Sequence, residues 1–231
     1  MSRLSSRMTT RLLKLWPART RRTFVVLGCP RGGTSLLAGA LSAAGVYMGH
    51  YQTLQYEDPA FKIPPQQACE ARERLTRTIL SRNLTRRYWG WKFPNAIYYI
   101  ERVLPLLINP CFLFVYRDAH EIARSSARHD GRDWAAQGER LLQVAINHTA
   151  KVRRFQASLS PPYHVFQVEA IQADPRAFAE QMVRVLHPMS AERERIMRFV
   201  MPEGGYHAHG AVRRVRIGNF ARTSPRSMRQ R

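Results

Sequence analysis

The sequence is poor in cysteine and has no long uncharged apolar run. Its cysteines are Cys29, Cys69 and Cys111, too few and too scattered for a disulfide framework or a zinc site. We therefore expect no bound metal and a reducing, cytoplasmic setting. No stretch reaches the roughly 18 uncharged apolar residues of a membrane-spanning helix. The N-terminal residues also lack the small-residue cleavage site of a signal peptide.

Acidic residues are scarce, and the chain is strongly basic. Its 231 residues include Lys+Arg 37 and Asp+Glu 16, which gives a net charge of +21. Residues 1–22 and residues 204–231 carry much of this excess and contain no acid. We predict a disordered basic arm over 1–22, an α/β domain over 23–203 and a basic tail over 204–231. A short amphipathic stretch in the arm also suggests peripheral contact with a membrane surface.

Short apolar runs alternate with helical patterns between these ends. Strands are predicted over 24–27, 89–92, 111–116 and 163–168, and helices over 34–44, 67–83, 95–107, 118–128, 133–159 and 175–186. This alternation indicates a three-layer, P-loop-like α/β domain in which a mostly parallel central sheet is flanked by helices. Ligands of such sheets bind at the carboxyl ends of the strands. The ends of strands 24–27 and 111–116 are therefore the predicted site.

The end of the first strand has the features of an anion cradle. The chain there reads Gly28-Cys29-Pro30-Arg31-Gly32-Gly33-Thr34-Ser35. Gly32 and Gly33 let the backbone approach an anion, and Arg31 adds a fixed charge beside the start of the following helix. The spacing of Gly28 and Gly33 matches an ATP-binding P-loop, but Thr34 stands where that motif has its lysine. We expect a phosphate-like ligand other than a nucleoside triphosphate.

The end of strand 111–116 carries a second cation. Arg117 leaves this strand, and Ser125 follows one or two turns along the next helix. The two side chains can close on a second, separate phosphate. Together with the first cradle, they indicate a ligand with two anionic ends.

These two segments resemble the two signatures of sulfotransferases that use 3'-phosphoadenosine 5'-phosphosulfate (PAPS). The 5'-phosphosulfate loop of that family reads Pro-Arg/Lys-Ser-Gly-Thr-Thr/Ser, which residues 30–35 match with one glycine in place of serine. The 3'-phosphate signature is Arg-Asp-Pro with a serine eight residues after the arginine, and Arg117 with Ser125 keeps that spacing without the proline. Residues 89–94 are similar to the Trp-Gly-Trp-Lys-Asp-Pro segment of bacterial members, and the likeness spans about residues 23–200.

The resemblance implies transfer of a sulfuryl group from PAPS to an acceptor hydroxyl or amine, in one in-line step without a metal. The product of the donor is then 3'-phosphoadenosine 5'-phosphate, and the acceptor is a small molecule or a carbohydrate; no specific nucleic acid is expected as a partner. The residues that it assigns to the donor are Arg31, Gly32, Gly33, Thr34 and Ser35 for the 5'-phosphosulfate, and Arg117 and Ser125 for the 3'-phosphate. It also places Lys92 beside the transferring sulfate, and the alternative for Lys92 is a surface lysine lying along two tryptophans.

The acceptor needs a general base. Members that sulfate small molecules carry a Lys-x-His near the middle strand, and Pro94 stands at the position of that histidine. Bacterial and carbohydrate-modifying relatives place a catalytic glutamate in about the region of Glu57, which is therefore our first candidate. Asp58 and His50 are the alternatives, and both carboxylates also fit a plain turn before Pro59. Three further histidines read as structural or exposed: His129, His148 and His164.

Two other functions fit parts of the sequence. A nucleotide kinase or NTPase would use residues 28–35 as an altered P-loop, but Arg117 follows strand 111–116 where a Walker-type aspartate for magnesium is expected. A nucleic-acid-binding protein would explain the net charge of +21. The terminal arginines are, however, not interleaved with aromatic residues that could stack on bases.

Overall fold

Four parallel strands form the sheet of this protein. A computed structural model describes residues 20–51, 55–160, 162–187 and 193–201. The strands are β1 (Arg22–Gly28), β2 (Tyr88–Lys92), β3 (Pro110–Tyr116) and β4 (Tyr163–Gln167), in the order β2-β1-β3-β4. All pairings among them are parallel. Their carboxyl ends therefore lie at one edge of the sheet, as the sequence predicts.

Helices cover both faces of the sheet. They are α1 (Thr34–Ala43), α2 (Arg72–Thr85), α3 (Ile100–Val103), α4 (Ala119–Asp130), α5 (Trp134–Ser158), α6 (Val168–Ala173), α7 (Pro175–Leu186) and α8 (Arg193–Val200). Strand β1 shows the layering, because Phe24 and Val26 pack with residues of α1, α7 and α8. Val25 and Leu27 pack on the other face with residues of α2, α3 and α5. The three-layer α/β prediction is confirmed.

Strand β1 is buried on both faces, which explains why its sequence is a continuous apolar run. The side chains from Phe24 to Leu27 are all 0% exposed. A strand covered by helices on both sides has no solvent face, so it does not alternate apolar and polar residues. Full burial of each such side chain stabilises the fold by about 1.5–3 kcal/mol.

The predicted strands agree with the observed strands to within two residues, but one predicted helix is wrong. The segment 95–107 is a 3₁₀ turn (Pro94–Tyr98), the single α-helical turn α3, and a second 3₁₀ turn (Leu104–Leu106). Tyr99, with a φ of −133°, leaves the α-helical region before α3, and Pro105 has no amide hydrogen with which to extend α3, so no continuous α-helix forms. Helix α2 also begins later than predicted, because a 3₁₀ turn at Pro65–Gln67 comes before it. The sequence pattern predicted neither α6 nor α8.

The folded domain includes the last three residues of the predicted N-terminal arm, Thr20 to Arg22. Arg22 is the first residue of β1, and buried Arg21 donates from Nη1 to the main-chain oxygen of Asn83 at 2.8 Å. Residues 1–19 of the arm and the whole of the tail at 204–231 lie outside the described residues. Within the described ranges, no helix is both long enough and apolar enough to cross a membrane.

Candidate active site

The turn between β1 and α1 brings the amino end of a helix to the carboxyl edge of the sheet. Arg31 (φ 65°) and Gly33 (φ 91°) both adopt left-handed conformations. Glycine is required at the second position, because a Cβ atom there would lie 2.4 Å from Cγ2 of Val168. Helix α1 then starts without a side-chain cap and without an acidic residue in its first turn. Its first amides have no intrahelical acceptor, and the partial positive charge at this end favours an anion.

A cavity of about 620 Å³ lies along this edge of the sheet. Its volume is within the range of small-molecule sites. Gly32 is not among its lining residues, but every other predicted site residue is: Arg31, Gly33, Thr34, Ser35, Glu57, Lys92, Arg117 and Ser125. The two predicted anion-binding segments therefore share one cleft, although they come from separate strand–helix units.

The predicted anion-binding residues also contact one another. Nε of Arg31 donates to Oγ of Ser125 at 3.3 Å. Nη1 of Arg117 donates to the main-chain oxygen of Arg31 at 3.3 Å, and its Nη2 donates to Glu121 at 3.2 Å. The sequence pairs Ser125 with Arg117, whereas in the structure the serine hydroxyl contacts Arg31. Arg117 thus supports the left-handed Arg31 in addition to lining the cavity.

Glu57 lies between two lysines at the end of β2. Its Oε1 accepts from Nζ of Lys92 at 2.8 Å, and its Oε2 lies 3.1 Å from Nζ of Lys62. The side chain of Lys92 is 3% exposed, that of Glu57 14% and that of Lys62 45%. The alternative in which Lys92 is a surface lysine is therefore wrong. The sequence did not predict that Glu57 and Lys92 form a pair.

Burial and charge act in opposite directions on this pair. Burial alone would raise the pKa of Glu57, but attraction to Lys92 and hydrogen bonds from both lysines outweigh it and hold that pKa below its usual value. Burial lowers the pKa of Lys92, and attraction to Glu57 offsets this only in part, while Lys62 and Arg31 lower it further. Glu57 is consequently ionised at neutral pH, and Lys92 gives up its proton more readily than an ordinary lysine.

Of the three predicted candidates for the base, Glu57 is the one that lines the cavity. Asp58 is 3% exposed; its carboxylate pairs with Arg82 and caps the 3₁₀ turn that follows it. His50 is exposed, and its ring packs edge-on against Tyr47 at 5.7 Å between ring centres. Asp58 therefore has a structural role, and neither alternative faces the cavity.

Sequence reasoning missed His129 as a lining residue. It is exposed, as predicted, but it lies on α4 four residues after Ser125 and lines the same cavity. The spacing of four residues, which places side chains on one helix face, was the available signal.

The apolar lining was also missed, because most of it comes from the unpredicted helices α6 and α8. It consists of Leu36, Val168, Ile171 and Val200.

The other two histidines lie elsewhere. His148 is buried on α5, and burial lowers its pKa despite hydrogen bonds to the backbone of Pro94 and Gly28. Burial, followed by repulsion from Arg22, also lowers the pKa of His164. Within the part of the chain that the structure describes, no group of three or more His, Cys, Asp or Glu residues is placed to hold a metal ion.

Comparison with known proteins identifies the fold. No protein-family model matches the sequence, and no curated protein matches it. Among solved structures, the chain is similar to the sulfotransferase STF1 from Mycobacterium tuberculosis H37Rv, with a TM-score of 0.55 and 12% identity over 82% of this chain and 75% of that chain. It is also similar to the sulfotransferase STF9 from Mycobacterium avium, with a TM-score of 0.50 and 13% identity over 83% of this chain and 71% of that one. The chain thus has the fold of bacterial sulfotransferases.

Proposed function

We propose that this protein is a sulfotransferase that moves a sulfuryl group from PAPS to an acceptor hydroxyl or amine by in-line, metal-independent transfer. The observation that carries the proposal is the shared cleft, in which Arg31 and Arg117 line one cavity together with the uncapped amino end of α1. The likeness of the fold to STF1 supports it. The acceptor in this proposal is a small molecule or a carbohydrate.

The residues of the cavity fit a donor with two anionic ends. Its lining cations are Arg31, Lys92 and Arg117, and its lining acids are Glu57 and Asp130. The lining cations outnumber the lining acids by one, and the uncapped amino end of α1 adds a partial positive charge. The cavity therefore attracts anions. Each charge-assisted hydrogen bond from a guanidinium contributes about 1.5–3 kcal/mol to binding.

Each end of the donor has its own set of binding groups. Arg31 and the first amides of α1, that of Ser35 included, would hold the 5'-phosphosulfate, helped by the hydroxyl of Thr34; the hydroxyl of Ser35 donates to the main-chain oxygen of Gln55. Arg117 and Ser125 would hold the 3'-phosphate. The donor supplies an electrophilic sulfuryl group on a phosphate leaving group. The protein aligns that group with the acceptor, and alignment of this kind removes several kcal/mol from a barrier.

Lys92 and Glu57 supply the charge and proton chemistry. Nζ of Lys92 lies at the carboxyl edge of the sheet and stabilises the negative charge that develops on the leaving oxygen. Glu57 takes the proton of the acceptor after one of its lysine contacts gives way. Lys62 is the partner to leave, because its side chain is 45% exposed and its contact is the longer one, at 3.1 Å against 2.8 Å. The lowered pKa of Glu57 makes it a weak base, so its contribution falls near the lower end of the usual 10²–10⁴-fold, at about 10²-fold.

The binding half of the proposal is tested by calorimetric titration without magnesium. The ligands are 3'-phosphoadenosine 5'-phosphate, ADP and ATP. We expect micromolar binding of the first, and a loss of at least about tenfold in Arg31→Ala and in Arg117→Ala. Arg128→Ala is the matched control, because Arg128 is exposed on the same helix as Ser125 and is not a lining residue. Equal or tighter binding of ATP would contradict the proposal.

The transfer half is tested with sulfur-labelled PAPS and a panel of small-molecule and carbohydrate acceptors. Glu57→Gln should lose turnover and keep its affinity for 3'-phosphoadenosine 5'-phosphate, because Glu57 acts on the acceptor. Turnover that needs added magnesium would contradict metal-independent transfer. Turnover that survives Glu57→Gln unchanged would contradict the role of Glu57 as the base.

A further inference from the structure

We propose that Asp58 and Arg82 form a buried positioning unit that holds Glu57 in place against Lys92. The importance of that placement for sulfuryl transfer rests on the proposed function. The placement itself rests only on contacts within the chain, so the two can be tested separately. Asp58 and Arg82 are positioning residues, since neither lines the cavity.

Arg82 is a charged residue enclosed by aromatic rings. It is 8% exposed, and its guanidinium carbon lies 4.9 Å, 5.3 Å and 5.5 Å from the ring centres of Phe61, Tyr47 and Trp89. Nη2 donates to Oδ2 of Asp58, while Nη1 has no hydrogen-bond acceptor within the described part of the chain. A buried pair with a donor left over contributes little net stability, because desolvation cancels much of the attraction. Such a pair is better explained by the geometry that it fixes.

The carboxylate of Asp58 connects three segments of the chain. Oδ2 contacts Arg82 on α2, and Oδ1 accepts from the amide of Ala60 at 3.0 Å, which caps the 3₁₀ turn Pro59–Phe61. The third segment contains Gly49, whose φ is 92°. A Cβ atom on Gly49 would lie 1.9 Å from Oδ2 of Asp58, so only glycine leaves room for the carboxylate.

These contacts fix the backbone from which Glu57 extends. Asp58 follows Glu57 directly, so its anchoring sets one end of the short segment. At the other end, the main-chain oxygen of Gln55 accepts from Oγ of Ser35 at 3.3 Å. Tyr56, between the two anchors, has a φ of 54°. Residues other than glycine hold such a conformation only where their surroundings impose it. The anchors on both sides, with the packing of the Tyr56 ring against Tyr51 and Phe199, impose it, and the Glu57 side chain is thereby directed to Lys92.

The test uses three variants: Arg82→Met, Asp58→Asn and the double variant that carries both changes. Each is compared with Leu75→Ala as a control. Leu75 is the matched control, because it is 1% exposed, lies on the same helix as Arg82 and belongs to the core that contains Phe61 and Trp89. Two quantities are measured for each protein, at a temperature that lies the same number of degrees below its own melting temperature. The first is amide hydrogen exchange of peptides covering residues 55–63. The second is the rate at which the amine of Lys92 reacts with a small amine-reactive reagent. Lys151 serves as the internal reference for reactivity.

Both single variants should increase exchange of residues 55–63 by about tenfold or more, which corresponds to about 1.4 kcal/mol of local stability. Labelling of Lys92 should rise by a similar factor, and Leu75→Ala should change neither quantity. Binding of 3'-phosphoadenosine 5'-phosphate should stay within about threefold of wild type, because the anion cradle is intact.

The double variant separates positioning from stability. It leaves no unpaired buried charge, so its melting temperature should recover relative to the single variants. Its Lys92 labelling should stay high, because the link between Asp58 and α2 is still missing. The positioning role is wrong if labelling returns to the wild-type rate together with the melting temperature, or if neither single variant changes labelling. If the wild type fails to bind 3'-phosphoadenosine 5'-phosphate but the variants show the expected rise in Lys92 labelling, the proposed function fails and the positioning unit stands.

Discussion

The two partners in the Glu57–Lys92 pair should respond unequally to mutation. Glu57→Gln leaves the ammonium of Lys92, whose side chain is 3% exposed, without a counter-charge in a buried place. Lys92→Met replaces that ammonium with an apolar group on a chain of similar length. Glu57 then still has Lys62 as a partner at 3.1 Å, and its side chain is 14% exposed to solvent. We therefore expect the loss of the carboxylate to cost more than the loss of the ammonium.

The size of each effect follows from what remains behind. Removing one partner of a buried pair costs about 3–5 kcal/mol. Glu57→Gln should fall at the lower end, about 3 kcal/mol, because the amide oxygen still accepts a hydrogen bond and Lys92, with its lowered pKa, can release its proton. Lys92→Met should cost about 1 kcal/mol, since the methionine fills the vacated volume and the carboxylate keeps one partner.

Urea unfolding at pH 7 measures the difference. Trp89 and Trp91 are buried on β2, the strand that ends at Lys92, and report unfolding by fluorescence. The free energies of unfolding of the variants are compared where the dependence of that free energy on urea concentration is the same as in the wild type. Lys62→Met is the control and should change stability by less than about 1 kcal/mol, as for other exposed ion pairs. If Lys92→Met destabilises as much as Glu57→Gln, burial of the ammonium is not the dominant cost and the reasoning is refuted.

Two further predictions concern pH and backbone geometry. The pKa of Glu57 is lower in the folded protein than in the unfolded chain, where a glutamate has a pKa of about 4.3. Between these two pKa values the unfolded chain binds more protons than the folded protein. Stability is therefore lost as the pH falls from about 4.3 through the folded-state pKa. Urea midpoints measured across that range should show a flatter acid limb in Glu57→Gln, and parallel limbs would contradict the pairing. Gly33→Ala should lose nucleotide binding in calorimetry and destabilise by more than about 1 kcal/mol, because its Cβ would lie 2.4 Å from Val168 at a φ of 91°. Gly131→Ala, with a φ of 66° and open space around its Cβ, carries the backbone strain alone, and an equal loss there would show that the contact with Val168 is unimportant.

The sheet and the edge that carries the candidate site could be predicted, because local sequence determines them. Strand β3 is a continuous apolar run buried on both faces, and this pattern distinguishes it from the amphipathic helices before and after it in the sequence. The parallel alternation of strands and helices then places the residues after β1 and β3 at the same edge. That Arg31 and Arg117 lie in one cleft could therefore be predicted without any tertiary information.

The Glu57–Lys92 pair could not be predicted in the same way. The two residues are 35 positions apart, and Glu57 lies in an irregular segment whose pattern has no period to follow. Its position depends on Arg82, a residue that reads as one more exposed arginine of a charged helix until its aromatic surroundings are known. Helices α6 and α8 were missed because they are short, and their apolar residues complete the cavity.

One cleft must hold both anionic ends of one nucleotide if the proposed function is correct. Calorimetry with 3'-phosphoadenosine 5'-phosphate and with adenosine 5'-phosphate, on the wild type and on Arg117→Ala, tests this directly. Removal of the 3'-phosphate should weaken binding to the wild type by about 10- to 150-fold, which corresponds to about 1.5–3 kcal/mol. It should make little difference to Arg117→Ala, which already lacks the group that contacts the 3'-phosphate. An equal loss in both proteins would mean that Arg117 does not bind that phosphate, and the two-ended site would be refuted.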